Sequence, residues 1–203
     1  MNLRPQLRFA VAISLWLACW AAFAGWATSA NAGQVCVGNL VFRDANGNGR
    51  YDAGEGVPNV EVQLFTSGTD PSTGTPVSLA FTASAGNYLF YFLDDGDYFV
   101  HIPAAEFQAG GDLLSLYSIP GTNGAGADDN VGEDGIDDYA PAANGISTAS
   151  FTVAANQAPT AATGETGFDS SWDNFDDANN DLTIDLGFYK PVGVGNLVFV
   201  DSD

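Results

Sequence analysis

The chain has 203 residues, and its 25 acidic and five basic residues give a formal net charge of −20. Such a charge repels nucleic acid and anionic membranes, so neither is expected as a partner. Hydrophobic residues make up 46% of the chain and aromatic residues 12%, which is too much for an intrinsically disordered protein.

The first 32 residues have the pattern of a secretory signal peptide. Arg4 and Arg8 precede a long uncharged apolar stretch, and three small residues follow at 30–32. We predict cleavage after Ala32, with an uncleaved anchor as the alternative. The exported part keeps three basic and all 25 acidic residues, a formal charge of −22. Divalent cations would balance this charge; a salt-adapted acidic surface is the alternative.

Short segments of alternating hydrophobicity recur along the exported part, whereas no segment has a convincing helical period. VCVGNLVFR begins the series, and VEVQLF then places Val60, Val62 and Leu64 on one face. NYLFYFL and DYFVHI flank a DDGD turn and predict a β-hairpin. STASFTV and DLTIDLGF predict further strands, with Thr183 and Asp185 facing solvent. This pattern predicts an all-β fold, an antiparallel β-sandwich with a single buried thiol at Cys36.

The segment DANGNGRYDAGE, residues 44–55, matches the calcium-loop pattern D-x-[DN]-x-[DN]-G-x5-E at every fixed position. Calcium takes about six to eight oxygen ligands, which alternate residues of such a loop can supply. Because strands flank the loop, we expect a rigid clamp instead of a switch; a metal-free Asn-Gly turn is the alternative. The expected metal ligands are Asp44, Asn46, Asn48, Arg50 through its carbonyl, Asp52 and Glu55.

Two long loops carry further acidic residues. The first contains DDNVGEDGIDD at 128–138, a candidate second calcium site, with a solvated acidic loop as the alternative. Its candidate ligands are Asp128, Asp129, Asp134, Asp137 and Asp138. In the second loop, Trp172 is a candidate ligand contact, with packing onto the sandwich as the alternative. The same loop offers a candidate third calcium site at Asp173, Asp176, Asp177 and Asp181.

The same sequence motif occurs near both ends of the exported part. VGNLVFRD at 37–44 returns as VGNLVFVD at 194–201, identical at seven of eight positions and offset by 157 residues. We therefore predict a signal peptide at 1–32, one module at 33–192 and the start of a second, truncated copy at 193–203. A tandem array of such modules is the expected arrangement.

Three segments together resemble the SdrD B-like domains, calcium-binding β-sandwich modules of serine-aspartate repeat adhesins and other bacterial surface proteins. They are VGNLVFRDANGNGRYDAGEGVPNVEVQLF, GNYLFYFLDDGDYFVHI and DLTIDLGFYKPVGVGNLVF. The resemblance implies a sandwich of the collagen-adhesin B type (Ig/prealbumin-like), strung in tandem as a stalk that calcium stiffens. It also implies calcium-ligand roles for the six loop residues named above. A period of 157 residues is long for such a module, so the two long loops lie partly outside the pattern.

The expected function is a non-catalytic, calcium-stabilised structural or adhesive module of a secreted, cell-surface-attached bacterial protein. Neighbouring copies of the module are the expected partners; the sequence identifies no host or matrix ligand and no membrane span in the mature domain. An extracellular glycan- or protein-binding module using Trp172 is the alternative. An enzyme is not expected, because His101 alternates outward beside Phe99 without an obvious nucleophile. The acidic residues are too numerous for any pair to indicate a glycosidase.

Overall fold

The computed structural model describes residues 35–120, 134–163, 165 and 176–192, so the predicted signal peptide and the predicted second copy lie outside the described part. Helical structure in the described part is limited to α1 (Pro141–Asn144) and three 3-10 turns, Ala104–Phe107, Ala161–Thr163 and Asp177–Asn179. None of these helices is long and apolar enough to cross a membrane. The strands are β1 (Val35–Arg43), β2 (Glu61–Thr66), β3 (Ser78–Phe81), β4 (Asn87–Leu93), β5 (Gly96–Ile102), β6 (Tyr117–Ser118), β7 (Ile146–Ser147), β8 (Phe151–Val153), β9 (Asn180–Asp181) and β10 (Leu186–Tyr189).

The strands form two sheets, which confirms the predicted all-β sandwich. The first sheet has the order β4-β1-β10-β6, with β9 also paired to β1; the second has the order β3-β2-β5-β7, with β8 also paired to β5. Most pairs are antiparallel, as predicted. However, β9 and β10 run parallel to β1, β9 along its beginning and β10 along its end. The first and last strands of the sandwich therefore lie side by side and point in the same direction.

The core lies between the two sheets and is built from the inward-facing residues of both. Val60, Val62 and Leu64 are completely buried, as the alternation of the second strand predicts. The Cys36 thiol has no exposed surface, which confirms the prediction that this residue is buried. The hydroxyl of Tyr88 donates to a backbone carbonyl at 2.8 Å, so this buried aromatic ring leaves no unpaired polar atom.

The predicted hairpin between β4 and β5 is wrong. β4 pairs with β1 in the first sheet, and β5 pairs with β2 in the second, so the turn at Asp94 and Asp95 connects the sheets. The reason lies in the core, where Phe90 of β4 and Val100 of β5 belong to the same buried cluster. Alternating hydrophobicity predicts that each strand has one buried face, but it does not determine which strand lies alongside.

The segment DLTIDLGF is also not the continuous strand that the sequence predicts. It is irregular between β9 and β10, and Thr183 and Asp185, expected in solvent, are 2% and 1% exposed. The Thr183 hydroxyl donates to Asp181 Oδ1 at 2.7 Å, and the backbone N–H of Asp185 donates to Asp134 Oδ2 at 2.9 Å. The backbone N–H of Asp134 in turn donates to the Asp185 carbonyl at 2.9 Å. The chain at 134 therefore covers this segment and supplies the hydrogen bonds that buried polar groups require.

Candidate metal-binding loop

The loop at 44–55 leaves β1 and returns to the same strand. The backbone N–H of Arg43 donates to the Glu55 carbonyl at 2.8 Å, and the N–H of Val57 donates to the Val41 carbonyl at 2.9 Å. The N–H of Asp44 donates to the Phe188 carbonyl of β10, also at 2.8 Å. The base of the loop is thus held at the point where the first and last strands end together.

Asp44 organises the first half of the loop. Its side chain is 6% exposed. Its Oδ1 accepts the N–H groups of Gly47 at 2.6 Å and Asn48 at 3.2 Å, and its Oδ2 accepts that of Gly49 at 2.8 Å. Gly47 and Gly49 have φ angles of +79° and +74°, a left-handed conformation that favours glycine. This pair of glycines lets the backbone curl around one carboxylate.

Asp52 brings three of the predicted ligands together. Its Oδ2 accepts hydrogen bonds from the side-chain amides of Asn46 at 2.7 Å and Asn48 at 2.8 Å. The oxygens of the same two amides accept backbone N–H groups further along the loop, from Asn48 at 3.0 Å and from Arg50 at 2.9 Å. The side chains at 46, 48 and 52 therefore converge, as a calcium loop requires.

Glu55 closes the loop with both carboxylate oxygens. Its Oε1 accepts the N–H of Ala45 at 2.7 Å, and its Oε2 accepts the N–H of Asp52 at 2.9 Å. The Glu55 side chain thus reaches back over the loop to the residue after Asp44. The twelfth residue of a calcium loop binds the ion with two carboxylate oxygens, and Glu55 directs both of its oxygens toward the loop.

The donor set fits a hard cation such as calcium, with one rearrangement. Its side chains offer carboxylate and amide oxygens only, which are the ligands calcium prefers. Two amide N–H groups face the Asp52 carboxylate, so the positive ends of two dipoles stand beside it. Reversing the Asn46 and Asn48 amides would present oxygens there, and it would break the hydrogen bonds that those oxygens accept from the Asn48 and Arg50 N–H groups. Within the described residues no three Asp, Glu, His or Cys side chains form a metal-binding group.

The described members of the candidate second site have separate partners. Asp134 is buried, and its carboxylate accepts the N–H of Asp185 as described above. Asp138 instead accepts the Ala140 N–H and the Asn144 side-chain amide, the latter at 2.9 Å. Asp137 is exposed, and Asp128 and Asp129 lie outside the described residues. A calcium site in this loop stays a prediction.

The residues named for the second long loop also differ in their surroundings: some are exposed, one is buried, and two lie outside the described residues. Asp176 and Asp177 are exposed, and Asp177 Oδ2 accepts the Ala161 N–H at 3.3 Å, whereas Asp181 is buried in the sandwich. Trp172 and Asp173 lie outside the described residues. The candidate ligand contact at Trp172 therefore also stays a prediction.

The sequence pattern gives no indication that Glu165 and Asp185 are buried. Glu165 is 6% exposed and accepts the Leu182 N–H at 2.8 Å, and Asp185 is 1% exposed and lies near Tyr88. Burial raises the pKa of Asp181, and burial together with the nearby carboxylates raises the pKa of Tyr88 well above its ordinary value. Asp185 stands inside an apolar alternating run, and such alternation predicts solvent exposure for the polar residue.

His101 is covered, although it faces outward as its alternation in the sequence predicts. It lies on the outer face of the second sheet but is only 5% exposed, and its Nδ1 is 2.8 Å from Ser147 Oγ on the neighbouring strand β7. A Cβ added to Gly145 would lie 2.6 Å from the ring, so backbone covers the imidazole closely. Burial lowers the pKa of His101. A covered imidazole bonded to its cross-strand neighbour is a structural feature and does not support catalysis.

Comparison with known proteins places the loop in a family context. Residues 35–114 match the model of the SdrD B-like domain. The serine-aspartate repeat-containing protein D of Staphylococcus aureus strain Newman is 44% identical over 73 residues, 34% of this chain and 5% of that protein. Colossin-B of Dictyostelium discoideum is 33% identical over 85 residues, 41% of this chain and 2% of that protein.

The matched part begins at β1 and includes the whole candidate loop, the predicted second strand and both strands around the Asp94 turn. The chain spans about 5% or less of the length of these curated relatives, so the comparison concerns one domain and not a whole protein. Over residues 35–114, the resemblance to the SdrD B-like domain family that the sequence indicates is therefore confirmed.

Proposed function

We propose that residues 33–192 are a calcium-stabilised, non-catalytic module that acts as a rigid spacer or adhesive unit in an exported, cell-surface-attached bacterial protein. The family match supports a structural or adhesin module. The signal-peptide pattern supports export, and the repeat at 194–201 supports neighbouring copies of the same module as partners. Calcium and the spacer role rest on the loop at 44–55.

The observation that carries this proposal is the position of the loop at the joint of β1 and β10. The Asp44 N–H donates to the Phe188 carbonyl of the last strand, and the Arg43 N–H donates to the Glu55 carbonyl at the end of the loop. Ordering the loop therefore also orders the end of the first sheet. An ion bound only by the folded state, at about a hundredfold excess over its dissociation constant, adds about 2.7 kcal/mol. This gain is a large share of the roughly 5–15 kcal/mol that holds a typical domain folded.

Within the site, each residue would have a distinct task. Asp44 would offer a carboxylate whose other hydrogen bonds hold the turn, and Glu55 would offer two oxygens from the far side. Asn46 and Asn48 would contribute amide oxygens next to Asp52, and Arg50 its backbone carbonyl. Calcium would neutralise the three carboxylates of the loop and cross-link its two halves.

A calcium titration by calorimetry, paired with thermal unfolding in calcium and in chelator, tests the proposal. Asp52→Asn and Glu55→Gln keep the shapes of the side chains and remove one negative charge each. Both are expected to weaken calcium binding and to reduce the calcium-dependent rise in Tm. Asp70→Asn is the matched control, because Asp70 is an exposed aspartate that organises a turn at Ser72 outside the loop.

Two results would contradict the proposal. One is the absence of heat and of a Tm shift at millimolar calcium in the unchanged protein. The other is a calcium response that persists in full in both loop variants, because the ion would then bind elsewhere. A response that is lost equally in the Asp70→Asn control would reflect general charge screening and would also count against the loop.

A further inference from the structure

The edge strand β3 presents a row of exposed apolar side chains. Val77, Leu79 and Phe81 are 53%, 48% and 59% exposed. Leu79 and Phe81 pair with the residues of β2 that alternate with Val62 and Leu64, and those two β2 residues are buried in the core. Because cross-strand partners lie on the same face of a sheet, Leu79 and Phe81 lie on the outer face of the second sheet.

The backbone of β3 also leaves hydrogen-bonding groups unused at its outer edge. The N–H of Thr82 donates to the Val60 carbonyl at 3.0 Å, and the Thr82 carbonyl accepts the Asn59 N–H at 2.9 Å, so both groups of Thr82 face β2. The direction of these groups alternates along an antiparallel strand. Leu79 and Phe81 therefore direct their N–H and C=O groups away from β2, where β3 has no neighbouring strand in the described part of the chain.

The other edges of the two sheets are protected against pairing with a further strand. Proteins protect such edges with very short strands, bulges, charged side chains or proline. Among the described strands, β6, β7 and β9 have two residues each, and β8 has three. The β4 edge is longer, but its pairing with β1 shifts register, and Phe92 within it has a φ angle of +62°. β3 has a regular register with β2 and carries no charge, so its edge lacks these protections.

The charge of the molecule favours a contact at this edge between two copies of the chain. The 23 residues at 71–93, which include β3, contain no charged residue and no histidine. The exported part has a formal charge of −22, so two copies repel each other over most of their surface. A contact along β3 places neutral surface against neutral surface. A basic peptide, in contrast, finds no carboxylate along this strand.

We propose that β3 pairs with β3 of a second copy of the module, forming an antiparallel two-fold dimer in which the two second sheets become one. The two-fold axis passes between the two Ala80 residues. In this register Leu79 of each copy lies opposite Phe81 of the other, so all the outward N–H and C=O groups of both residues are paired. The two Ala80 residues form a non-hydrogen-bonded pair about 4.5 Å apart, and their small side chains permit this approach. The pairing does not depend on an ion in the loop at 44–55.

The same register brings apolar side chains together and keeps carboxylates apart. Each Phe81 ring lies beside Leu79 of the other copy, and aromatic–aliphatic cross-strand pairs stabilise a sheet. Glu61 lies opposite Phe81 on β2, so three strand spacings, about 14 Å, separate the two Glu61 residues of the dimer. This distance exceeds the Debye length of about 8 Å at physiological ionic strength. Repulsion between these carboxylates is therefore largely screened.

The strength of the contact follows from its size and charge. A contact confined to one strand edge is small, and interfaces below about 1,200 Å² are typically weak and transient. We therefore expect a reversible dimer that forms at high protein concentration. Salt should strengthen it, because salt screens the repulsion between two acidic copies. A dimer held by ion pairs would show the opposite dependence on salt.

Sedimentation of the exported chain, residues 33–203, at increasing protein concentration and at low and high NaCl tests the proposal. Leu79→Glu with Phe81→Glu should abolish dimerisation, because two carboxylates then lie on each side of the contact. Ile136→Glu with Tyr139→Glu is the matched control. These residues are also exposed and apolar, at 46% and 95%, and they lie near β7, at the other side of the second sheet, so dimerisation should be unchanged.

Leu79→Pro separates backbone pairing from simple apolar association. Proline has no N–H, and it is tolerated in an edge strand where the N–H faces solvent. The Leu79 N–H points away from β2, so the substitution removes no hydrogen bond to β2. We expect dimerisation at least about tenfold weaker in a chain whose Tm shows that it is folded.

Cysteine cross-linking tests the register. Ala80→Cys should form a disulfide-linked dimer under mild oxidation, because the two Cα atoms lie within the range of about 4.4–6.8 Å that a disulfide spans. Val77→Cys is the control: Val77 is more exposed than Ala80, but the register holds the two copies of this residue roughly 20 Å apart. Cys36 has no exposed surface and takes no part in the reaction of the folded protein.

The proposal is overturned if the exported chain stays monomeric at every concentration and salt, which would leave β3 to a strand of a different protein. It is also overturned if dimerisation persists in the Leu79→Glu, Phe81→Glu chain or is lost equally in the control with Ile136 and Tyr139 replaced. Equal cross-linking through Val77→Cys and Ala80→Cys would likewise refute it. A monomeric chain whose Tm still rises with calcium would refute the dimer and leave the proposed function standing.

Discussion

Asp44→Ala is the substitution that most directly separates the shape of the loop from its ability to bind an ion. Asp44 is 6% exposed and accepts three backbone N–H groups, at 2.6, 2.8 and 3.2 Å. These bonds form without any metal. The substitution should therefore destabilise the protein in chelator as well as in calcium.

The size of the effect follows from those three bonds. A hydrogen bond to a charged group contributes about 1.5–3 kcal/mol. Gly47 and Asn48 are exposed, so water replaces part of the loss at their N–H groups, and the total should be about 2–4 kcal/mol in chelator. At about 2–4 °C per kcal/mol for a domain of this size, Tm should fall by about 4–16 °C.

Thermal unfolding of Asp44→Ala, Asp44→Asn and Asp70→Ala, each in chelator and in calcium, measures these effects. Asp44→Asn keeps an acceptor oxygen, so it should lose less stability in chelator but should still lose the calcium response. Asp70→Ala should respond to calcium like the unchanged protein. If Asp44→Ala unfolds at the unchanged temperature in chelator, the three hydrogen bonds do not stabilise the fold and the reasoning is wrong.

Three further predictions concern buried groups and are measured in chelator. Burial lowers the pKa of His101 below 6.5. The stability that the neutral imidazole contributes is therefore present above pH 6.5 and is lost as the pH falls through the folded-state pKa. His101→Gln should flatten this slope when the free energy of unfolding is measured between pH 7.5 and 5. Burial raises the pKa of Asp181 above 3.8, so the stability of the fold falls as the pH rises from 3.8 through the folded-state pKa. Asp181→Asn should therefore raise Tm at pH 7. An unchanged Tm would contradict the free-energy cost of burying the charged carboxylate. Cys36 has no exposed surface, so it should react with a thiol reagent only on unfolding, and fast labelling of the folded protein would contradict its place in the core.

Local patterns predicted the parts of this protein that depend on nearby residues. The alternation around Val62 predicted its burial because a strand has a period of two, and spacing alone predicted a closed loop at 44–55. In that loop the Asp44 and Glu55 carboxylates accept backbone N–H groups of the same twelve-residue segment. Because these contacts are local, the residue spacing in the sequence predicts them.

The tertiary structure decided what depends on distant residues. β4 and β5 lie in different sheets, and Phe90 of β4 and Val100 of β5 both belong to the buried cluster between those sheets. Asp185 is buried because the chain at 134, 51 residues away, covers it and accepts its N–H. Likewise, only the parallel pairing of β1 and β10 brings Arg43 and Lys190 to one end of the sandwich. Short-range periodicity determines which face of a strand is apolar. Which element packs against that face depends on how distant parts of the chain come together to bury their apolar surface.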